Sequence, residues 1–110
     1  MQLPFAVTLT QCRDYAVVVP VGELDVATTP ELREQLRSAL ESGATPALDL
    51  RRVTFMDTSG VRVLIWADIE SRARRRRLQV VAGTSALPVL RVCDGERYLS
   101  WMSPEQLGPA

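Results

Sequence analysis

Strand-like and helix-like segments alternate along most of this chain, and each helix-like segment carries apolar residues at helical spacing. The first predicted helix spans residues 30–43 and has its apolar positions at Leu32, Leu36, Ala39 and Leu40. The second runs from about Thr58 to about Arg74, and its predicted buried stripe is Val61, Leu64, Ile65 and Ile69. Such alternation predicts parallel strand pairs joined by helical crossovers.

An apolar hairpin precedes this alternation. Residues 5–9 and 15–19 are rich in strand-forming side chains, and the polar residues 11–14 between them predict a turn. Pro20 and Gly22 are predicted to end the second strand. Thr29, followed by Pro30, is predicted to cap the first helix with its hydroxyl.

The rest of the chain continues the same pattern. Gly43 is predicted to end the first helix. Further strands are predicted at 47–50, 78–82 and 98–102. A third helix is predicted at 86–93, with Thr84 or Ser85 as its cap. A short final helix is predicted at 103–107 and stops at Gly108 and Pro109. The order β-β-α-β-α-β-α-β predicts one α/β domain over residues 1–110, with a mixed sheet of four to five strands and about four helices.

Missing residue types exclude several kinds of chemistry. The chain has 110 residues and no histidine, so neither a Ser-His-Asp triad nor a histidine metal site is possible. Cys12 and Cys93 fit no metal-ligand spacing and are expected to pack as small buried apolar side chains. We therefore expect no metal, no cofactor and no enzymatic activity.

Charge and hydropathy indicate a cytoplasmic protein. The 13 basic and 13 acidic residues balance, so nothing draws the whole chain to nucleic acid or to an anionic membrane. No secretory signal or membrane-spanning segment is predicted. The arginine run at residues 74–77 lacks interleaved aromatic residues and is interpreted as a solvated helix end, so no direct nucleic-acid binding is expected.

A turn rich in hydroxyl groups opens the second helix. Asp57 is predicted to be its N-cap, which places Thr58 and Ser59 in the first helical turn, near the surface and at the positive end of the helix dipole. A phosphate on either hydroxyl would meet free backbone N–H groups there. Taken alone, these residues fit an ordinary helix cap as well as a modification site.

Two motifs add a family resemblance. Residues 22–25 (Gly-Glu-Leu-Asp) and residues 55–61 (Phe-Met-Asp-Thr-Ser-Gly-Val), each followed by a helix, resemble the STAS domain, and most closely the anti-sigma factor antagonists of the SpoIIAA and RsbV type. The resemblance covers nearly the whole chain in length and element order. The second motif is fairly specific in this setting, whereas the first alone is weak.

The resemblance implies a phosphorylation switch. The unphosphorylated antagonist binds an anti-sigma factor that is also a serine/threonine protein kinase, and a sigma factor is released. Phosphorylation abolishes this binding, and a phosphatase reverses it. The modified hydroxyl directly follows the motif aspartate, which places it on Thr58, where the family usually has Ser; Ser59 is the second candidate. The chain is expected to be a monomer or a weak homodimer.

The predicted partner-binding surface centres on the start of the second helix. Thr58, Arg62 and Trp66 lie four residues apart and share one helix face, and tryptophan with arginine is typical of protein interfaces. The alternative is that Trp66 packs beneath residues 72–77. Asp25 belongs to a loop that the family places near the turn, although it could instead only shape that loop. The full predicted set is Asp25, Asp57, Thr58, Ser59, Gly60, Arg62 and Trp66.

The phosphorylation switch has two alternatives, a transporter subunit and an enzyme. The same domain also serves as an accessory subunit of a lipid-transport ABC ATPase complex, a role without phosphorylation. Catalysis by Thr58 or Ser59 is not expected, because no histidine activates either hydroxyl and no Gly-x-Ser-x-Gly elbow surrounds them.

Overall fold

The computed structural model describes residues 4–107, apart from the side chain of Glu96. Its strands are β1 Ala6–Cys12, β2 Tyr15–Leu24, β3 Thr45–Asp49, β4 Val53–Met56, β5 Gln79–Val81 and β6 Ser100–Met102. Its helices are α1 Thr29–Glu41, α2 Thr58–Ala73 and α3 Leu87–Val92, and single 3₁₀ turns occupy Gly95–Arg97 and Pro104–Leu107.

The sheet is mixed, as predicted. Its order is β1-β2-β3-β5-β6, with only the β1/β2 hairpin antiparallel. The remaining strand, β4, pairs in parallel with the end of β2. Because β4 was not predicted as a strand of its own, the described sheet has six strands where four to five were expected.

Strand β2 is longer than the sequence indicated. Pro20 and Gly22 do not end it, and the strand continues to Leu24. Pro20 lies between the part of β2 that pairs with β3, up to Val18, and the part that pairs with β4, from Gly22. Its missing N–H therefore interrupts neither parallel ladder. Gly22 has a φ of +110° at a register shift, where glycine permits a bulge.

The main core lies between α1, α2 and one face of the sheet. Its fully buried large side chains include Val18, Leu24, Leu32, Leu36, Leu48, Leu64 and Val80. A smaller cluster on the opposite face is closed by Leu107 of the last 3₁₀ turn. The predicted stop of that final helix at Gly108 and Pro109 lies outside the described residues.

The predicted buried stripe of α2 was half wrong. Val61 and Leu64 are buried, but Ile65 is 43% exposed and Ile69 is 59% exposed. The buried face instead continues through Val63, Ala67, Asp68 and Ser71. The small side chains of Ala67 and Ser71 allow α2 to lie close to the core. The buried Ser71 hydroxyl has a hydrogen-bond partner there, because it donates to the Ala67 carbonyl.

Two helix caps differ from the prediction. The N-cap of α1 is Thr28 and not Thr29, and it forms no side-chain cap. Likewise α3 begins at Leu87 after Ala86, without a cap from Thr84 or Ser85. The first backbone N–H groups of both helices donate instead to carbonyls of the preceding turns, Thr29 to Asp25 and Leu87 to Gly83. At the other end of α1, the C-cap is Ser42 and Gly43 follows with a φ of +87°, as expected for a helix stop.

One cysteine and part of the arginine run differ from expectation. Cys12 packs half-buried against the smaller cluster, and its thiol donates to the Leu107 carbonyl. Cys93, however, is exposed at the end of α3 and is not a core residue. Within the exposed arginine run, Arg77 is held in place: it reaches the buried carboxylate of Asp68 at 3.2 Å, and Arg72 reaches the same carboxylate at 2.9 Å. This cluster fixes the end of α2.

The carboxylate of Asp49 makes folding sensitive to acid. It accepts three hydrogen bonds from Arg51, at 3.0 Å from the backbone N, 3.0 Å from Nε and 2.8 Å from Nη2. Burial raises the pKa of Asp49, but these bonds and the charges of Arg51 and Arg52 outweigh it and hold the pKa below 3.8. The stabilisation is therefore complete above pH 3.8 and is lost as the pH falls through the folded-state pKa.

We expect Asp49→Asn to lower the free energy of unfolding by about 2 kcal/mol at neutral pH, because charge-assisted hydrogen bonds are lost. The loss should shrink below pH 3.8, where wild-type Asp49 becomes protonated. Urea titrations of both proteins from pH 7 to about pH 3 measure this. Asp14→Asn, at an exposed aspartate, is the control. A difference that stays constant with pH would contradict the assigned pKa.

Candidate functional site

Two loops meet at one edge of the sheet. Strands β2 and β4 run in parallel, and their last paired residues are Leu24 and Met56. The N–H of Asp57 donates to the Leu24 carbonyl at 3.1 Å, so the loop after β2 lies against the turn after β4. The predicted neighbourhood of Asp25 and Asp57 is thus present in the structure.

The turn itself has the predicted helix cap. Asp57 is in an extended conformation, and its carboxylate accepts the N–H of Ser59 at 2.8 Å. The Asp57 carbonyl accepts from Gly60 at 3.1 Å and so begins the hydrogen-bond ladder of α2. Thr58, the first residue of α2, is exposed, whereas Ser59 is half-buried. Of the two candidate hydroxyl residues, Thr58 is the more accessible.

Asp25 is engaged within its own loop. Its carboxylate accepts the N–H of Ala27 at 2.9 Å and that of Thr28 at 3.1 Å. The Thr28 hydroxyl accepts the Asp25 N–H at 3.0 Å and donates to the Glu23 carbonyl at 2.7 Å. These bonds hold Val26 at the tip of the loop with its side chain 77% exposed. Asp25 therefore shapes the loop and is itself half-buried.

Gly60 is buried and presents no surface for a partner. A Cβ at this position would lie 2.5 Å from Cγ of Met56 and 2.8 Å from its Sδ. A larger residue here would have to displace the Met56 side chain, so glycine lets α2 begin close to the end of β4 without that shift. Its contribution to the site is to set the position of the turn.

Trp66 packs against α1. The guanidinium of Arg33 lies 4.6 Å from the centroid of its ring and that of Arg37 lies 5.5 Å away. The alternative that Trp66 sits beneath residues 72–77 finds no support in these contacts. Arg62 is exposed one turn earlier on α2. Sequence reasoning missed Arg33 and Arg37, because their spacing shows that they share a face of α1 but not which helix that face meets.

Exposed apolar side chains accompany these polar groups. Phe55, paired with Glu23 just before the turn, is 48% exposed. Ile65 and Ile69 are also exposed on α2, on the helix face that carries Arg62 and Trp66. Exposed apolar residues grouped beside polar ones are typical of protein-binding surfaces.

Residues 4–107 lack the features of two other kinds of site. No three side chains of the His, Cys, Asp and Glu types group there as metal ligands would. In the same residues, no helix combines the length and the apolar character that crossing a membrane requires.

Comparisons with known proteins agree with this geometry. Residues 8–92 match the family model described as "Mlab, STAS domain". An anti-sigma factor antagonist from Mycobacterium paratuberculosis superposes with a TM-score of 0.82 at 19% identity, covering 94% of this chain and 91% of that one. No curated protein sequence matches the chain.

Two structures of SpoIIAA are also similar. The unphosphorylated form gives a TM-score of 0.75 at 24% identity, over 92% of this chain and 91% of that one. The phosphorylated form, described as a Bacillus cell fate determinant, gives 0.68 at 24% identity, over 92% and 95%. At these identities the likeness shows a shared fold, which includes the N-terminal hairpin and the mixed sheet.

Proposed function

The chain belongs to the STAS domain family, and from this membership we propose that it is an anti-sigma factor antagonist controlled by phosphorylation. Its unphosphorylated form binds an anti-sigma factor that is also a serine/threonine protein kinase, and a sigma factor is released. Phosphorylation of Thr58 ends the binding, and a phosphatase restores it. The observation that carries this proposal is the exposed Thr58 directly behind the capping Asp57 at the start of α2.

The position of Thr58 explains how a phosphate acts as a switch without unfolding the domain. At the first residue of α2 the phosphate meets the positive end of the helix dipole, so the helix tolerates it. The added charge of about −1.5 to −2 sits beside the Asp57 carboxylate. A partner surface shaped for a neutral hydroxyl then faces a bulky, hydrated dianion.

Thr58 is favoured over Ser59 by exposure. A kinase must bring the hydroxyl oxygen in line with the γ-phosphate of ATP, which requires an accessible side chain. Thr58 is exposed, but Ser59 is half-buried and its backbone N–H is bound to the Asp57 carboxylate. Ser59 therefore remains the second candidate.

The partner surface in this proposal extends from the turn in two directions. Along α2 it includes Arg62 and Trp66, and across the sheet edge it includes the Asp25 loop with Val26 at its tip. Its exposed apolar side chains and its tryptophan match the composition of binding hot spots. We place the protein in the cytoplasm, as a monomer or weak homodimer that acts by binding and not by catalysis.

Phosphorylation in a lysate tests the proposal. We expect the purified protein, incubated with ATP and lysate of the source cells, to gain the mass of one phosphate that maps to Thr58. Thr58→Ala, which keeps Ser59, should gain none. Phosphate on Ser59 alone would move the site to the second candidate. No phosphate on either residue, with capture of a transporter ATPase, would favour the accessory subunit of a lipid-transport complex.

A further inference from the structure

A tryptophan and three arginines form a compact surface on the two long helices. Arg33 and Arg37 of α1 stack against Trp66 of α2 at 4.6 and 5.5 Å from the ring centroid. Arg62 is exposed on α2, one helical turn before Trp66. We refer to these four residues as the arginine–tryptophan surface.

The N–H groups of these arginines are largely free to bind a ligand. Stacking on an aromatic ring uses the flat face of a guanidinium and leaves its edge donors available. Among the described residues, the side chains of Arg33 and Arg62 form no hydrogen bond and no ion pair. Arg37 has one long contact, 3.9 Å to the exposed carboxylate of Glu34. Stacking also orders the guanidinium groups in advance, which lowers the entropy lost on binding.

The surface is basic although the whole chain is neutral. Among the described residues, one carboxylate lies within 4 Å of its three guanidinium groups, that of Glu34, at 3.9 Å from Arg37. The acidic residues that follow on α2 are paired with other arginines: Asp68 with Arg72 and Arg77, and Glu70 with Arg74 at 2.9 Å. Planar guanidinium groups grouped in this way match carboxylates, which they bind through two parallel hydrogen bonds.

The neighbouring side chains favour a protein over a nucleic acid as the ligand. Ile65 and Ile69 are exposed and lie on the same face of α2 as Arg62 and Trp66. Branched apolar side chains gain free energy by packing against apolar side chains of a partner, and they offer nothing to a phosphate backbone. Apolar and basic groups alternate here, as in surfaces that bind acidic amphipathic segments.

We propose that the arginine–tryptophan surface binds an acidic segment of the protein partner, with its carboxylates on Arg33, Arg37 and Arg62 and its apolar side chains on Ile65 and Ile69. This inference deepens the proposed function by giving the chemistry of the partner. It also links the surface to the switch. A phosphate on Thr58, one turn before Arg62, pairs with that arginine and withdraws one of the three positive charges.

A peptide titration followed by NMR tests the inference without knowledge of the partner. The full-length ¹⁵N-labelled protein is titrated with octaglutamate in low-salt buffer, and the indole N–H of Trp66 is followed. We expect saturable shifts at Trp66 and on the exposed face of α2, about tenfold weaker binding in Arg33→Gln/Arg37→Gln, and loss of binding at high salt. Arg62→Gln should weaken binding about threefold without affecting the fold.

The chain supplies a matched control in its arginine run. Arg75→Gln/Arg76→Gln removes the positive charges of an exposed and a half-buried arginine, neither of which stacks on an aromatic ring, and should leave the affinity unchanged. Equal affinity of Arg33→Gln/Arg37→Gln and wild type, or shifts confined to residues 74–77, would overturn the proposal. Tighter binding of a thymidine octanucleotide than of octaglutamate would also overturn it, in favour of nucleic acid.

The titration and the phosphorylation assay can fail separately, so they test the surface and the switch one at a time. Thr58→Glu should weaken octaglutamate binding about threefold, through Arg62. If Thr58 proves not to be phosphorylated while octaglutamate still binds at Trp66, the proposed function fails and the acidic-ligand surface stands. If phosphorylation is found but octaglutamate does not bind at Trp66, the surface assignment fails alone.

Discussion

Thr58→Glu is expected to weaken binding of the anti-sigma factor by at least about 100-fold, whereas Thr58→Ala should bind within about threefold of wild type. Thr58 is exposed at the start of α2 and its hydroxyl forms no hydrogen bond among the described residues, so losing this hydroxyl leaves the turn intact. In the proposed switch, a carboxylate there adds a charge beside Asp57 that the partner surface does not accommodate. Calorimetric titration of the purified partner with each variant measures the effect.

Position-matched variants separate the switch from a general effect of charge. Thr10→Glu introduces the same charge on an exposed threonine of β1, opposite Val17 and so towards the start of β2, away from the turn. It should bind like wild type. Ser59→Ala should also bind normally if Thr58 alone is modified. A loss of affinity in Thr10→Glu as large as that in Thr58→Glu would show that charge anywhere, and not at the turn, weakens binding.

Gly83→Ala is expected to lower the free energy of unfolding by about 3 kcal/mol or more, the upper part of the range for overpacking. Gly83 is buried just after β5, and a Cβ there would collide with the Leu50 carbonyl and lie 3.2 Å from Cα of Arg51. Both obstacles are backbone atoms, which cannot rotate away. The ends of β3 and β5 would have to separate, although the Leu50 N–H is bound to the Val81 carbonyl at 3.0 Å.

Gly43→Ala is the matched control for that substitution. Gly43 has a φ of +87° but no heavy atom within 4 Å of an added Cβ, so alanine there carries only the conformational cost of about 1 kcal/mol. Chemical denaturation of both variants measures the difference. Failure of Gly83→Ala to fold would agree with the expectation, whereas equal losses in the two variants would contradict the close approach at Gly83.

Local chemistry made the candidate turn predictable. A capping aspartate followed by hydroxyl residues and a helix-period pattern locates the start of α2 without knowledge of the fold, and the structure confirms Asp57 as the cap. The opening hairpin and the alternation that follows were predictable for the same reason, since each signal lies within about ten residues. Sequence did not reveal β4, because its four residues acquire strand geometry only by pairing with the far end of β2.

Packing decided the features that sequence reasoning missed. Ile65 and Ile69 lie four and eight residues after Val61, at helical spacing, yet α2 is rotated so that Ala67 and Ser71 face the core in their place. Apolar type alone does not distinguish a buried isoleucine from an exposed one. The stacking of Arg33 on Trp66 depends on how α1 and α2 meet, a long-range property that no local pattern encodes.

Partner capture from lysate of the source cells with three baits, wild type, Thr58→Ala and Thr58→Glu, tests the switch most directly. Captured proteins are identified and quantified by mass spectrometry. The switch predicts that wild type and Thr58→Ala capture the same kinase-like anti-sigma factor and that Thr58→Glu does not. Capture of one and the same protein by all three baits in equal amounts, above all a transporter ATPase, would contradict control by phosphorylation at Thr58.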